Sequence, residues 1–200
     1  MSVVAPERPL PGRFYARSVA GVAQGLLGRL LIHETSDGLC VGRIVETEAY
    51  DQGDPASHSF RGPTPRNMAM FGPPGHAYVY RSYGVNWCFN VVVGAPGVGA
   101  AVLIRALAPV IGHEVMRARR LQTAKTCRDR DLARGPGRVC QALAIDRSHD
   151  GVPLAEGPLR IVSPKGFRCP PVETSRRIGI SKGVETLWRF VVADSPYVSG

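Results

Sequence analysis

Two hundred residues fit one domain, and a hydrophobic fraction of 44% is enough for a sizeable core. No apolar run reaches the roughly 18 residues of a membrane span, and the first residues lack the basic-then-apolar pattern of a secretory signal, so neither a membrane nor a secreted protein is expected and a cytoplasmic, nucleoid-associated address is the default. Lys and Arg number 25 against 16 Asp and Glu, a net charge of +9, which fits an anionic partner (nucleic acid, an acidic membrane surface or a small anionic substrate) and, from composition alone, an ordinary basic protein equally.

Residues 1–12 contain three prolines and read as an extended, partly mobile leader. Ser18 then suits a helix N-cap, with Val19, Val22, Leu26, Leu27, Leu30 and Leu31 at helical spacing behind it. Gly21, Gly25 and Gly28 weaken that helix by up to about 1 kcal/mol each relative to alanine. Asp37-Gly38 is a hairpin signal, and Leu39 to Thr47 is a strand rich in Val and Ile. If the strand runs on, Glu46, Glu48 and Tyr50 share one face. Two acids there suit a general acid/base pair or a face lying in water, and spacing alone favours the solvated face.

Residues 51–77 are rich in proline and glycine and form a long loop with no clear period. The loop holds His58, Arg66 and Asn67, and a lone histidine in such a place is more often a surface or hydrogen-bonding residue than a catalyst. Tyr78–Tyr83 and Trp87–Val93 are β-prone and flank Gly84, so they predict a hairpin with Tyr83 near its tip. An aromatic there either meets a partner surface or folds back on the core. A third strand, Ala100–Leu107, contains Arg105, which is expected to face a site or an acid.

Gly112–Thr123 is a predicted helix. Eight basic residues follow one another from Arg117 to Arg138, among them Arg119 and Arg120, opposed only by Asp129 and Asp131. Phosphate contact and a solvated basic face fit this cluster equally. Gly135-Pro136-Gly137 precedes the apolar helix face of Val139, Cys140, Leu143 and Ile145 and could offer backbone N–H groups to a phosphate, but it lacks the ending of a Walker loop. Leu159–Val162 and Leu187–Ala193 are predicted strands, joined by a Pro, Gly and Arg-rich connection over 163–184. The five cysteines are odd in number and none forms a CxxC pair, and no HxH or HExxH spacing occurs, so no disulfide framework and no metal are expected. Cys40, Cys88 and Cys140 read as buried packing residues.

Taken together, Arg43-Ile44-Val45-Glu46-Thr47-Glu48-Ala49-Tyr50, His58-Ser59, Thr64-Pro65-Arg66-Asn67, Tyr78-Val79-Tyr80, Tyr83-Gly84, Asn90, Leu103-Ile104-Arg105-Ala106-Leu107, Gly135-Pro136-Gly137 to Ile145 and Leu187 to Ser199 form an ordered set. In that set the sequence resembles the alkyladenine (3-methyladenine) DNA glycosylase family from about residue 10 onward. The resemblance implies that Glu48 is the general base that deprotonates water for attack on the sugar C1′, with Arg105 beside it to position water and phosphate. It implies that Tyr50, His58 and Tyr80 enclose an extruded base and that Asn90 clashes with the 2-amino group of normal guanine. By the same likeness Tyr83 enters the minor groove and fills the gap in the stack, and Glu46 supports rather than catalyses. Val85-Asn86 departs from the bulkier Met-aromatic pair of better-known members.

The expected fold is α+β: one domain, a curved antiparallel sheet, partly open and barrel-like, flanked by helices, with a protruding hairpin. The expected function is monofunctional hydrolysis of the N-glycosidic bond of flipped alkylated purines of the 3-methyladenine type, and in a wider set deaminated purines, in base excision repair. The expected partner is double-stranded DNA carrying damaged purines, the protein acting as a monomer without a cofactor. Charge alone nominates Arg66, Arg119, Arg120 and Arg138 for DNA phosphates. Two other readings compete: a basic nucleic-acid-binding module without catalysis, and an enzyme for some other anionic small substrate.

Overall fold

The computed structural model describes residues 8–200, so most of the expected leader lies outside the described residues. Its last part is extended but fastened down. Leu10 is buried, its N–H donates to the Ile161 carbonyl at 3.1 Å, and Pro9 bridges to Val162.

A short turn of helix, α1 (Gly12–Tyr15), leads to α2 (Val19–Leu26), with Ser18 at the N-cap position but no side-chain cap bond. The helix does not reach Leu31 as its periodicity predicts. Gly28 takes a left-handed φ of +80° and gives its N–H to the Ile44 carbonyl, which ends the helical ladder. Leu30–Thr35 becomes strand β1 instead, turned by Ser36-Asp37 into the 13-residue β2 (Gly38–Tyr50). The hairpin expected around Gly84 is present as β3 (Ala77–Ser82) and β4 (Asn86–Val92). There follow β5 (Ala101–Ile111), α3 (His113–Leu121), α4 (Pro136–Leu143), β6 (Leu159–Val162), β7 (Val172–Ser175) and β8 (Arg189–Val192).

All pairings are antiparallel, in the order β3-β4-β5-β2-β1-β6. β1 covers only the first half of β2; β8 pairs with the second half, at Glu46–Glu48, and carries β7 on its other edge. The sheet curls into a half-barrel, an α+β fold as the sequence predicts.

Two bulges decide what the sheet presents. Ile44 pairs with Leu107 and Glu46 with Ala106, so Val45 is an extra residue on β2; Thr47 pairs with Ile104, so Arg105 is an extra residue on β5. Each insertion exchanges the two faces of its strand. Before the bulge Cys40 and Ile44 point into the main core, and after it Ala49 does, while Thr47 donates its hydroxyl to the Ala23 carbonyl of α2. Glu46, Glu48 and Tyr50 are thereby lifted off the core side. On β5, Leu107 and then Ile104 and Val102 face the core, which leaves Leu103 and Arg105 on the same side as the glutamates. One bulge compensates the other, so the ladder beyond them is regular.

Beneath α4, His33 and His149 stack edge to face with Nε2 atoms 3.3 Å apart. His33 Nδ1 lies 2.5 Å from the Leu143 carbonyl, and the Asp146 N–H points at His149 Nδ1. Burial, chiefly, lowers the pKa of His33; the charges of His149 and Arg119 act the same way, against the Leu143 carbonyl and Asp146. The unfolded chain therefore takes up a proton more readily. The contribution is present in full above the unfolded value of about 6.5 and is lost as pH falls below it. The thermal midpoint is expected to fall between pH 7.5 and 5, and His33→Asn, which keeps a donor near the Leu143 carbonyl, should show a shallower fall. Parallel pH profiles for the two proteins would remove His33 from this role.

Candidate active site

Four neighbouring strands place their off-core side chains on one surface. β3 gives Tyr78 and Tyr80, β4 gives Cys88 and Asn90, β5 gives Leu103 and Arg105, and β2 gives Glu48 and Tyr50. These residues line a cavity of about 580 Å³, the size of a site for a small ligand. His58 and Met70 from the long loop and Ile178 to Ile180 from the connection after β7 complete its walls.

Glu48 is fully buried in the cavity wall, which overturns the solvated face that spacing alone favours. Ile178 N–H donates to its Oε1 at 2.8 Å, Tyr50 O–H donates to its Oε2 at 2.8 Å, and Arg105 Nη1 lies 3.4 Å from the same Oε2. Burial first, and then the Glu48 charge, push the Tyr50 hydroxyl far above its ordinary pKa, so it stays a donor. Glu46 is equally buried but chemically spent. Its Oε1 accepts from Arg189 at 2.7 Å, the Ser199 hydroxyl at 3.0 Å and Arg105 at 3.1 Å, and its Oε2 accepts from the Ser199 N–H at 2.6 Å. Four donors saturate this carboxylate, and Glu46 does not line the cavity with Glu48. Arg105 stands between them, as its position within an apolar strand predicts.

The aromatic wall is continuous. His58 packs edge-on to Tyr80 with centroids 4.5 Å apart, and Tyr78 lies 5.4 Å from Tyr80. His58 Nδ1 is 2.9 Å from the Tyr78 hydroxyl. Burial, and secondarily Arg66, lowers the His58 pKa and favours the neutral ring, while burial raises the pKa of Tyr78 and Tyr80. His58 is exposed and hydrogen-bonded, as its loop position suggests, and its ring also forms part of the cavity wall. Asn67 fixes the loop beneath it. Its Oδ1 accepts from the Thr64 N–H and hydroxyl, and its Nδ2 donates to the carbonyls of His58 and Gly62. Asn90 is buried, with Nδ2 donated to the Tyr78 carbonyl at 3.0 Å.

At the cavity mouth the β3–β4 turn holds Tyr83 at φ +49° and Gly84 at φ +69°, closed by a bond from Val85 N–H to the Ser82 carbonyl. Both central residues are left-handed, the geometry of a type I′ turn. Tyr83 is 93% exposed, so it does not fold back on the core. An aromatic residue held in a strained conformation and in water points to a partner that covers it.

The nominated arginines separate. Arg66 is exposed beside the cavity and donates to the Arg81 carbonyl. Arg138 is half-exposed in an adjoining cleft, 3.6 Å from Asp131. Arg119 is turned inward to Asp37, Thr35 and the Ala142 carbonyl. Arg120 is buried against Gln141, though it borders the cleft. Arg119 is therefore occupied by the protein itself, because β1–β2 and α4 surround it. The sequence gives no sign of the Ile178 contact, because that residue contributes a backbone N–H rather than a side chain.

A family model described as Methylpurine-DNA glycosylase (MPG) matches residues 13–196. A protein of Granulibacter bethesdensis is 52% identical over 193 residues, covering 96% of this chain and 87% of its own. Proteins of Nitrosospira multiformis and Methanoculleus marisnigri are each 48% identical, over 94% and 95% of this chain and 93% and 98% of theirs. All three bear the name "Putative 3-methyladenine DNA glycosylase".

Proposed function

The chain belongs to the methylpurine-DNA glycosylase family, and from that premise we propose that it excises 3-methyladenine-type purines from double-stranded DNA by extruding the damaged nucleotide into the Glu48 cavity. It is a DNA glycosylase, a hydrolase of base excision repair. The observation that carries the finer reading is the buried Glu48 carboxylate on the wall of an aromatic cavity, beside Arg105.

The reacting bond joins the sugar C1′ to the base, and neither can be reached inside a stacked duplex, so the nucleotide must leave the helix. Unstacking costs a few kcal/mol, and Tyr83, already exposed at the hairpin tip, offsets part of it by filling the gap. The wall of Tyr50, His58 and Tyr80 suits an alkylated purine because the base is cationic and a π-face attracts a cation. Asn90 on the cavity wall works against the 2-amino group of guanine.

Glu48 takes a proton from water as the water oxygen bonds to C1′, and the C1′–N bond breaks with its electron pair going to the base. A cationic 3-methyladenine leaves as a neutral molecule, so it needs no added acid. Deaminated purines are neutral and would need a donor. Arg105, beside Glu48, orients the water and the adjacent phosphate. We read the reaction as hydrolysis without strand cleavage, with no Schiff base to an amine of the protein. Exposed Arg66 and half-exposed Arg138 are the phosphate contacts we assign on the flanks.

Incubation of the protein with a duplex containing 3-methyladenine should release the free base and leave an abasic strand that breaks only on alkali treatment. Binding to that duplex without release would favour the non-catalytic module. Failure to bind DNA at any salt concentration would favour an enzyme for a small anionic substrate.

A further inference from the structure

Arg177, in the connection after β7, has a fully buried side chain and meets Asp54 of the long loop, itself 4% exposed, through two guanidinium nitrogens. The two terminal nitrogens donate further, while Nε is buried without a partner. Nη1 donates to the Ala49 carbonyl at 2.9 Å and Nη2 to the Gly183 carbonyl at 3.1 Å. Its planar head lies 4.6 Å from the Tyr50 ring. Neither Arg177 nor Asp54 lines the cavity. A buried ion pair is a poor source of stability, because desolvation cancels most of the attraction, and an apolar pair could fill the same space. What the charged pair supplies here is geometry, and that geometry converges on Glu48. The residue after Arg177 is Ile178, whose N–H holds Glu48 Oε1, and the ring under the Arg177 head is Tyr50, whose hydroxyl holds Glu48 Oε2. One guanidinium therefore fixes the donors to both oxygens of the carboxylate.

We propose that Arg177 and Asp54 are positioning residues for the glycosylase reaction: together they lock the 177–178 peptide and the Tyr50 ring so that the Glu48 carboxylate keeps one rotamer and one plane toward the cavity. The inference rests on the reading of Glu48 as the base. It requires that disturbing the pair act on the chemical step and not on DNA binding, since neither residue lines the cavity.

The test is single-turnover release of 3-methyladenine by Asp54→Asn and Arg177→Lys, alongside binding to duplex carrying an abasic-site analogue and Glu48→Gln as a control. Displacing a reacting group by about 1 Å can cost on the order of a hundredfold, so the rate should fall by about that factor while abasic-site affinity stays within about twofold. A second protein, with Ile178 replaced by its α-hydroxy acid, removes only the N–H to Glu48 and should lose rate in the same direction with every side chain intact. Near-normal rates for these variants with an inactive Glu48→Gln would overturn the positioning role alone. A normal rate for Glu48→Gln would instead overturn the reading of the base. If the Asp54 and Arg177 variants do not fold, the ester protein decides, and an unchanged rate in it overturns the proposal.

Discussion

Glu48→Gln should lower single-turnover release of 3-methyladenine by about two to four orders of magnitude, the range a positioned general base supplies, while affinity for abasic-site duplex is retained. The substitution keeps the volume of a fully buried side chain and removes only its ability to take a proton. It also carries a structural signature. The carboxylate accepts on both oxygens, from Ile178 N–H and from Tyr50 O–H, whereas the amide has one acceptor end and one donor end. With its NH2 toward Ile178 the amide sets donor against donor; turned the other way, the Tyr50 hydroxyl can accept but the NH2 meets Arg105 Nη1, so the variant should lose about 1–3 kcal/mol of stability. A rate within tenfold of wild type would sink the assignment of Glu48. A lost rate accompanied by lost abasic-site binding would show that the cavity had collapsed rather than that the base was gone.

The second large effect is on folding. Arg105→Met should destabilise the protein by about 3–5 kcal/mol, because it withdraws the cation from between two fully buried carboxylates. The two partners are not equally exposed to the loss. Glu46 keeps Arg189 and both donors of Ser199, while Glu48 keeps only the neutral Tyr50 and Ile178 donors. Adding Glu48→Gln to Arg105→Met should therefore recover more of the stability than adding Glu46→Gln. Urea midpoints at constant m-value measure both comparisons. A variant Arg105→Met within about 1 kcal/mol of wild type would mean that the mid-strand arginine is not the partner the bulge makes it.

Several features that matter to the site are written locally. Tyr83 sits beside Gly84 between two β-prone runs, and that is enough to place it at a hairpin tip. Arg105 breaks an otherwise apolar strand, and the cost of burying an unpaired charge already demands an acid or a site opposite it. The length and Pro/Gly content of 51–77 mark a functional loop. Other features are illegible for stated reasons. Leu30 and Leu31 continue the period of α2 but lie in a strand, since Gly28 turns the chain and the β2 edge takes their backbone groups. The basic run from Arg117 to Arg138 looks uniform in sequence, yet Arg119 is spent on Asp37, a residue 82 positions away.

The chain by itself placed most of β2, the β3–β4 hairpin, β5, β6 and β8 but neither β1 nor β7, and the likeness of its ordered motifs named the kind of chemistry to look for. The strands follow from side-chain period and turn residues, which act over a few positions, and the chemistry is what the resemblance implies. Only the tertiary structure decided that Glu46 and Glu48 leave the solvent, that the first is saturated and the second faces a cavity, and that a backbone N–H from Ile178 holds it. A bulge exists only relative to a partner strand, and the register partner of Glu46, Ala106, lies 60 residues on. The face a glutamate presents is thus a property of two strands in register, which neither strand's sequence contains alone.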